Sequence, residues 1–226
     1  EALSLAQDFQ TGIHIHVAED PCDQEITQEK FGMSVIERLQ NAGALTSPKS
    51  ILSHCLHLSE KERRILDQSP VVIAQNTESN LNNGVGIFSS QSLSNPVLLG
   101  TDGMHSDMLR ALQATYFTGH YHEGLTMEEA YRRFRNIHSY LSQNGFPGDG
   151  ENNLVILDYD SPTEVTSQNG LAHFIFGLTH RNVDSLVSRG ELVYSQGRLV
   201  KGNEQEILEY AREQALRLWA KLEKED

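Results

Sequence analysis

Cysteine is nearly absent: Cys22 and Cys55 are the only two in 226 residues. Two thiols cannot build the disulfide framework of a small secreted domain, so a reducing, cytoplasmic compartment is expected. No run approaches the roughly 20 consecutive apolar residues of a membrane span, so no membrane partner is expected. The opening EALSLAQDFQ lacks the basic start and apolar stretch of a secretory signal. Positive charge is scarce as well. Eighteen Lys and Arg face 31 Asp and Glu, the net charge is −13, and no basic block stands against it. Phosphate backbones repel such a chain, which excludes nucleic acid as an expected partner. There is no internal repeat and no low-complexity segment, and the glycines lack the spacing of a phosphate-binding fingerprint. What remains is 38% apolar and 7% aromatic residues, enough for a core and too many for disorder. The length suits one large domain or two smaller ones. The chain begins on Glu1 without a methionine, and a catalytic-looking strand falls inside its first 20 residues, so a fragment or processed product is one expectation.

Along the chain, apolar residues set out an alternation of strands and helices. Residues 12–18 (GIHIHVA) alternate as a strand, and Phe31, Val35, Ile36 and Leu39 then predict one helical face ending near Gly43. The next strand is 50–55 (SILSHC), followed by an S-x-x-E capping box, Ser59 with Glu62, opening a short helix towards Leu66. A third strand, 70–74 (PVVIA), leads into a polar loop over 75–86, and a fourth, 96–101 (PVLLGT), is almost wholly apolar. Leu109, Leu112 and Tyr116 mark a helix. Thr126 with Glu129 caps another, whose apolar face is Ala130, Phe134, Ile137 and Leu141. Four strands alternating with helices argue for parallel βα units. A complete eight-stranded barrel takes about 250 residues, and four units are half of one. Beyond Gly145 short strands at 154–157, 185–187, 191–194 and 198–200 predict a small β portion, with Arg189-Gly190 and Gln196-Gly197 as turns. A last helix is predicted to turn Leu208, Ala211, Ala215, Leu218 and Leu222 inward.

Three constellations carry residues suited to chemistry. In His14-Ile15-His16-Val17-Ala18-Glu19 the two imidazoles share a strand face, roughly 6.6 Å apart at about 3.3 Å per residue. Either they are a buried pair bonded to backbone, or His16 at the strand end and Glu19 in the loop supply a metal ligand and an acid/base. In Ser53-His54-Cys55-Leu56-His57 an activated Cys–His nucleophile competes with a buried structural cysteine. Neighbours on a strand face opposite ways, which favours the latter. Asp102, in Gly100-Thr101-Asp102-Gly103, follows an apolar strand directly, where a carboxylate is costly unless it meets a metal, a cation or hydrogen bonds. A helix-capping role fits Ser106 or Asp107 better. The loop over 75–86 either lines a pocket or is solvated. His105, His120, His122, His138, His173 and His180 form no ligand set and read as ordinary residues.

Together HVAED, SHCLHLSEKE, NTESNLNNGVG and LLGTDG resemble, in order and spacing, the second half of the metal-dependent amidohydrolase superfamily. The branch is the one that holds guanine and cytosine-type deaminases and triazine hydrolases. LVILDYDSPT and HFIFGLTHRNVDSLVSRGELVYSQGRLV resemble its carboxy-terminal β-sandwich portion. AEDPCDQE, EKFGMSVIERL and GTDGMHSDMLRA bring the chain closest to the SsnA group of aminohydrolases. The resemblance covers nearly the whole sequence.

It implies an α/β fold: the C-terminal half of a TIM-type (β/α)8 barrel (strands five to eight, residues 1–145), a small β-sandwich portion (146–203) and a C-terminal helix (204–226). It implies His16 as a metal ligand from strand five, with Glu19 as proton shuttle. His54 would come from strand six and polarise the attacked carbon's substituent or hold the tetrahedral intermediate. Asp102 would be the strand-eight metal ligand that also takes a proton from water. The implied cofactor is a divalent metal, zinc first and iron as the alternative. The implied activity, in the full-length parent, is hydrolysis of a non-peptide C–N bond, the deamination of a small heterocyclic amine. Two departures stand out. Gln75-Asn76-Thr77 occupies the place of the family's His-Asn-Pro, and the His-x-His pair of strand one belongs to a barrel half not present here. A catalytic zinc takes about three protein ligands plus water, and His16 with Asp102 make two. The isolated chain is therefore expected to be inactive, with open half-sheet edges that favour pairing with another chain, a homo-oligomer being one such arrangement. The alternatives are a non-catalytic binding or assembly module derived from an amidohydrolase, and a cysteine hydrolase using Cys55.

Overall fold

The computed structural model describes residues 1–146 and 152–224. Residues 147–151, at the start of the expected β portion, and 225–226, at the end of the expected terminal helix, lie outside the described residues. The chain divides into two compact units, one of residues 1–147 and 161–180, the other of 148–160 and 181–226. Residues 161–180 thus group with the first unit, although the sequence reading places them within the β portion.

The first unit is built on a parallel sheet in the order β1-β2-β3-β4, with β1 His14–Val17, β2 Ile51–His54, β3 Val72–Gln75 and β4 Val97–Leu99. Each strand lies within or one residue beyond its expected range, because β-branched and apolar runs bounded by turn residues set it. The register aligns Ile15, Leu52, Ile73 and Val97 in one row and His16, Ser53, Ala74 and Leu98 in the next, on the opposite face. Leu52, Ile73 and Val97 pack with Ile36, Leu66 and Phe88 in the main apolar cluster. β1 is an edge strand, and His14, Ile15 and His16 are exposed on it.

The helices repeat the expected plan with two corrections. The single helix predicted around Phe31 to Leu39 is two, α2 Pro21–Phe31 and α3 Val35–Asn41, preceded by a short α1, Ala2–Asp8. Gly32 ends α2 at φ 67°, and Ser34 with Glu37 closes a capping box that starts α3 afresh. Phe31 is therefore exposed, with the Arg38 guanidinium 3.9 Å from its ring centre. The second correction is α5, Thr77–Asn83, inside the predicted polar loop. α4 Glu60–Asp67 and α7 Met127–Gln143 open on the predicted Ser59/Glu62 and Thr126/Glu129 boxes, and Asp107 caps α6, Met108–Glu123.

The second unit holds one antiparallel sheet in the order β5-β6-β7-β8: Leu154–Leu157, Val183–Ser188, Glu191–Ser195 and Arg198–Leu199. Its terminal helix, Glu204–Leu222, departs from expectation. Leu208, Leu218 and Leu222 are exposed rather than inward, and the helix buries none of its side chains. Helical periodicity marks an apolar stripe, but a stripe is buried only where another element covers it. Among the described residues, no helix is long and apolar enough to cross a membrane.

Candidate active site

The C-terminal ends of β1, β2 and β4 bring Glu19, His16, His54 and Asp102 to one place. His16 Nδ1 lies 3.9 Å from Glu19 Oε2. The same carboxylate oxygen is 3.5 Å from His54 Nε2, and Asp102 Oδ2 is 3.9 Å from that nitrogen. His16, Glu19 and His54 each offer a ligand atom within 4.8 Å of the others. Asp102 joins this group through its approach to His54.

Strand alternation alone does not build this cluster. His54 pairs with Val17, one residue beyond the row that holds His16 and Ser53, so regular pleating would turn it away from His16. Its backbone instead takes a left-handed φ of 71°, and its ring meets that of His16 edge-on at 4.9 Å between centres. Ala18 (φ 47°), Cys55 (φ 52°) and Asp102 (φ 52°) share this conformation at the ends of β1, β2 and β4. Left-handed non-glycine residues cost about 1–3 kcal/mol each and persist where the surroundings over-determine them.

Three side chains of α5 reach into the cluster. Ser79 Oγ donates to Asp102 Oδ2 (2.6 Å), and Gly103 N–H donates to Asp102 Oδ1 (2.8 Å). The Ser79 hydroxyl above all holds the Asp102 carboxyl below its ordinary value; partial burial works against it, and the Gly103 amide and the neighbouring imidazoles add to it. Asn80 Oδ1 lies 2.7 Å from His54 Nδ1. Asn83 Nδ2 donates to Glu19 Oε1 (3.3 Å). The polar segment after β3 held these residues in plain view, yet an Asn- and Ser-rich stretch reads as loop because such side chains favour caps and turns over helix interiors.

Other candidates fall outside. His14 Nε2 pairs with Ser53 Oγ at 2.9 Å, and His57 Nε2 donates to the Val85 carbonyl at 2.7 Å. Cys55 is fully buried in the main apolar cluster, and that burial pushes its thiol up to about 12. A thiol held there stays protonated and is a poor nucleophile.

The donor set suits a divalent metal. The Asn80 amide presents Oδ1, an acceptor, to His54 Nδ1, which leaves Nε2 as the other nitrogen of the ring. That nitrogen is buried without a hydrogen-bond partner. It sits with a second imidazole and two carboxylates, the N and O ligands that zinc accepts.

The amidohydrolase family profile matches residues 1–133. The chain belongs to the amidohydrolase family. A 5-methylthioadenosine/S-adenosylhomocysteine deaminase of Syntrophomonas wolfei is 28% identical, over 97% of this chain and 54% of the relative. A 5'-deoxyadenosine deaminase of Methanococcus maripaludis is 26% identical, over 95% of this chain and 54% of the relative. Among solved structures, an adenosine deaminase from Xanthomonas campestris with bound zinc superposes with a TM-score of 0.81 at 19% identity, over 96% of this chain and 53% of that one. This amidohydrolase chain spans about half the length of the curated relatives it matches.

Proposed function

We propose that this chain supplies the C-terminal half of the (β/α)8 barrel (1–145), part of the β-sandwich (146–203) and the terminal helix (204–226) of a metal-dependent aminohydrolase. The complete protein hydrolyses the C–N bond of a small heterocyclic amine. The names of its relatives favour the exocyclic amine of an adenine nucleoside of the 5'-deoxyadenosine type. The observation that carries the reading is the open, buried Nε2 of His54 between two carboxylates, with His16 beside it.

His16 and Asp102 would hold the metal, with further ligands from barrel strands that this chain does not contribute. When bound, a divalent metal, zinc or iron, supplies Lewis acidity that makes water nucleophilic near neutral pH. Asp102, ionised and oriented through both oxygens by Ser79 and Gly103, takes the proton of the attacking water. Glu19, partly open to solvent and within reach of both imidazoles, carries a proton to the departing amine. His54 orients the group under attack through Nε2. Replacement of the family's His-Asn-Pro by Gln75-Asn76-Thr77 alters the wall behind: Gln75 is buried and accepts from Arg133 Nη1 at 2.8 Å.

On this reading the 226-residue chain alone does not turn over, and its open β1 edge pairs with another chain, a homo-oligomer being one such arrangement. The free cysteines fit the cytoplasm. A non-catalytic module remains the competing reading, favoured by a two-ligand metal set. The test is ammonia release from 5'-deoxyadenosine and 5'-methylthioadenosine by the complete protein loaded with zinc. Turnover lost in Asp102→Asn and Glu19→Gln supports the proposal. A folded, zinc-loaded protein that releases no ammonia from any heterocyclic amine offered overturns it in favour of the module.

A further inference from the structure

We propose that Asn80 is a positioning residue: it fixes the proton of His54 on Nδ1 and so turns the Nε2 lone pair towards the point where Glu19 and Asp102 converge. The functional consequence rests on the aminohydrolase reading; the proton assignment does not.

The two ends of the ring compete for that proton. Glu19 Oε2 at 3.5 Å and Asp102 Oδ2 at 3.9 Å both favour a proton on Nε2. Asn80 Oδ1 at 2.7 Å favours it on Nδ1, and this is the shorter and better-made contact. Nε2 makes no hydrogen bond, so neither carboxylate competes for the proton at bonding distance. The contact is fully buried, where a hydrogen bond is stronger than in water and an unmade one more costly. The neutral imidazole then meets the site as an acceptor, suited to an O–H of water or an N–H of the amine.

The backbone of Asn80 is held in place: its N–H donates at 3.0 Å to the carbonyl of Asn76, the residue before α5, while its side-chain Nδ2 is buried without a hydrogen-bond partner. Its neighbour Ser79 grips Asp102. Glu78 on the other side bonds His105 Nε2 at 2.7 Å and Arg110 Nε at 2.8 Å, tying α5 to the loop and helix that follow β4. Consecutive residues on one helical turn therefore set the spacing between the His54 ring and the Asp102 carboxylate. Partners of this kind, one bond removed from the reacting groups, are worth about 10–100-fold in activity or metal affinity.

The reverse orientation of the Asn80 amide would donate Nδ2–H to Nδ1 and force the proton onto Nε2. Long-range proton–nitrogen spectra of histidine-labelled protein, at a pH where the imidazoles are neutral, distinguish the two. The His54 signals are assigned by their loss in His54→Gln. The proposal expects a protonated Nδ1 and an unprotonated Nε2 in the full chain and in Asn80→Asp, which keeps an acceptor oxygen. In Asn80→Leu the Nδ1–H signal is expected to give way to Nε2–H, and kcat of the complete protein to fall about 10–100-fold. A proton on Nε2 in the unaltered protein overturns the proposal, as does an unchanged Nδ1–H in Asn80→Leu. If Asn80→Leu does not fold, the unaltered spectrum still decides. Nδ1–H at His54 without ammonia release would sink the proposed function and leave the proton assignment standing; Nε2–H with ammonia release would do the opposite.

Discussion

Ser79 Oγ donates to Asp102 Oδ2 over 2.6 Å, the same oxygen that faces His54 Nε2 at 3.9 Å. The bond directs one carboxylate oxygen while Gly103 N–H directs the other. Ser79→Ala is expected to weaken zinc binding by the complete protein about 10–100-fold, since a partner that orients the carboxylate proposed to hold the metal is lost. Its stability should shift by no more than about 1 kcal/mol, because the bond is only partly buried. Chelator competition reads the first quantity and urea unfolding the second. Unaltered zinc affinity would remove Ser79 from the site.

Glu62 joins three helices. Its carboxylate accepts from Ser59 N and Oγ in its own capping box, from Gln24 Nε2 on α2 and from Ile36 N on α3. Burial pushes this carboxyl up, but the donors outweigh it and hold it below the ordinary 4.5. Glu62→Ala is expected to destabilise the first unit by about 2–4 kcal/mol. The lowered value sets the sign of the pH effect. The carboxylate's contribution is fully present above 4.5 and is lost as pH falls through the lower folded value. Stability measured against pH should therefore fall more steeply below 4.5 in the unaltered chain than in Glu62→Ala.

Gly12 enters β1 where no side chain fits. A Cβ there would lie 2.2 Å from the Lys49 carbonyl carbon and 2.4 Å from Ser50 N, both backbone atoms at the entry to β2. Gly12→Ala should cost about 1–3 kcal/mol in urea unfolding through the overpacking it forces. Gly103→Ala, with nothing within 4 Å of the added carbon, is the control and should leave stability unchanged.

The two thiols should separate by access. Cys22 is exposed and Cys55 buried. Iodoacetamide on the native chain is expected to label Cys22 alone, and slowly, since its bond to Asp20 raises its thiol. Cys55 should react only after unfolding. Peptide mass spectrometry checks this, and native labelling of Cys55 would reopen the thiol reading.

Much of this was readable from residue order. The four parallel strands follow from GIHIHVA, SILSHC, PVVIA and PVLLGT, and two capping boxes stand where Ser59 and Thr126 predict them. Asp102 stands out because a carboxylate directly after an apolar strand requires a partner, and His16, Glu19 and His54 join it through the family resemblance. The mount behind them did not stand out. α5 is TESNLNN, poor in helix formers, and it forms where Ser79, Asn80 and Asn83 find bonds on other elements, which no local pattern records. The turn of His54 towards His16 depends on a left-handed φ that L residues rarely adopt, so alternation pointed the wrong way. In the last helix the spacing of Leu208, Leu218 and Leu222 marks a stripe, while burial depends on a covering element that spacing does not report.

The most direct measurement is ammonia release by the complete protein before chelation, after it, and after zinc is restored. The account predicts turnover of an adenine nucleoside that disappears with the metal and returns with it, but does not return in His16→Ala. Turnover that survives full removal of the metal, or that His16→Ala leaves intact, would contradict it.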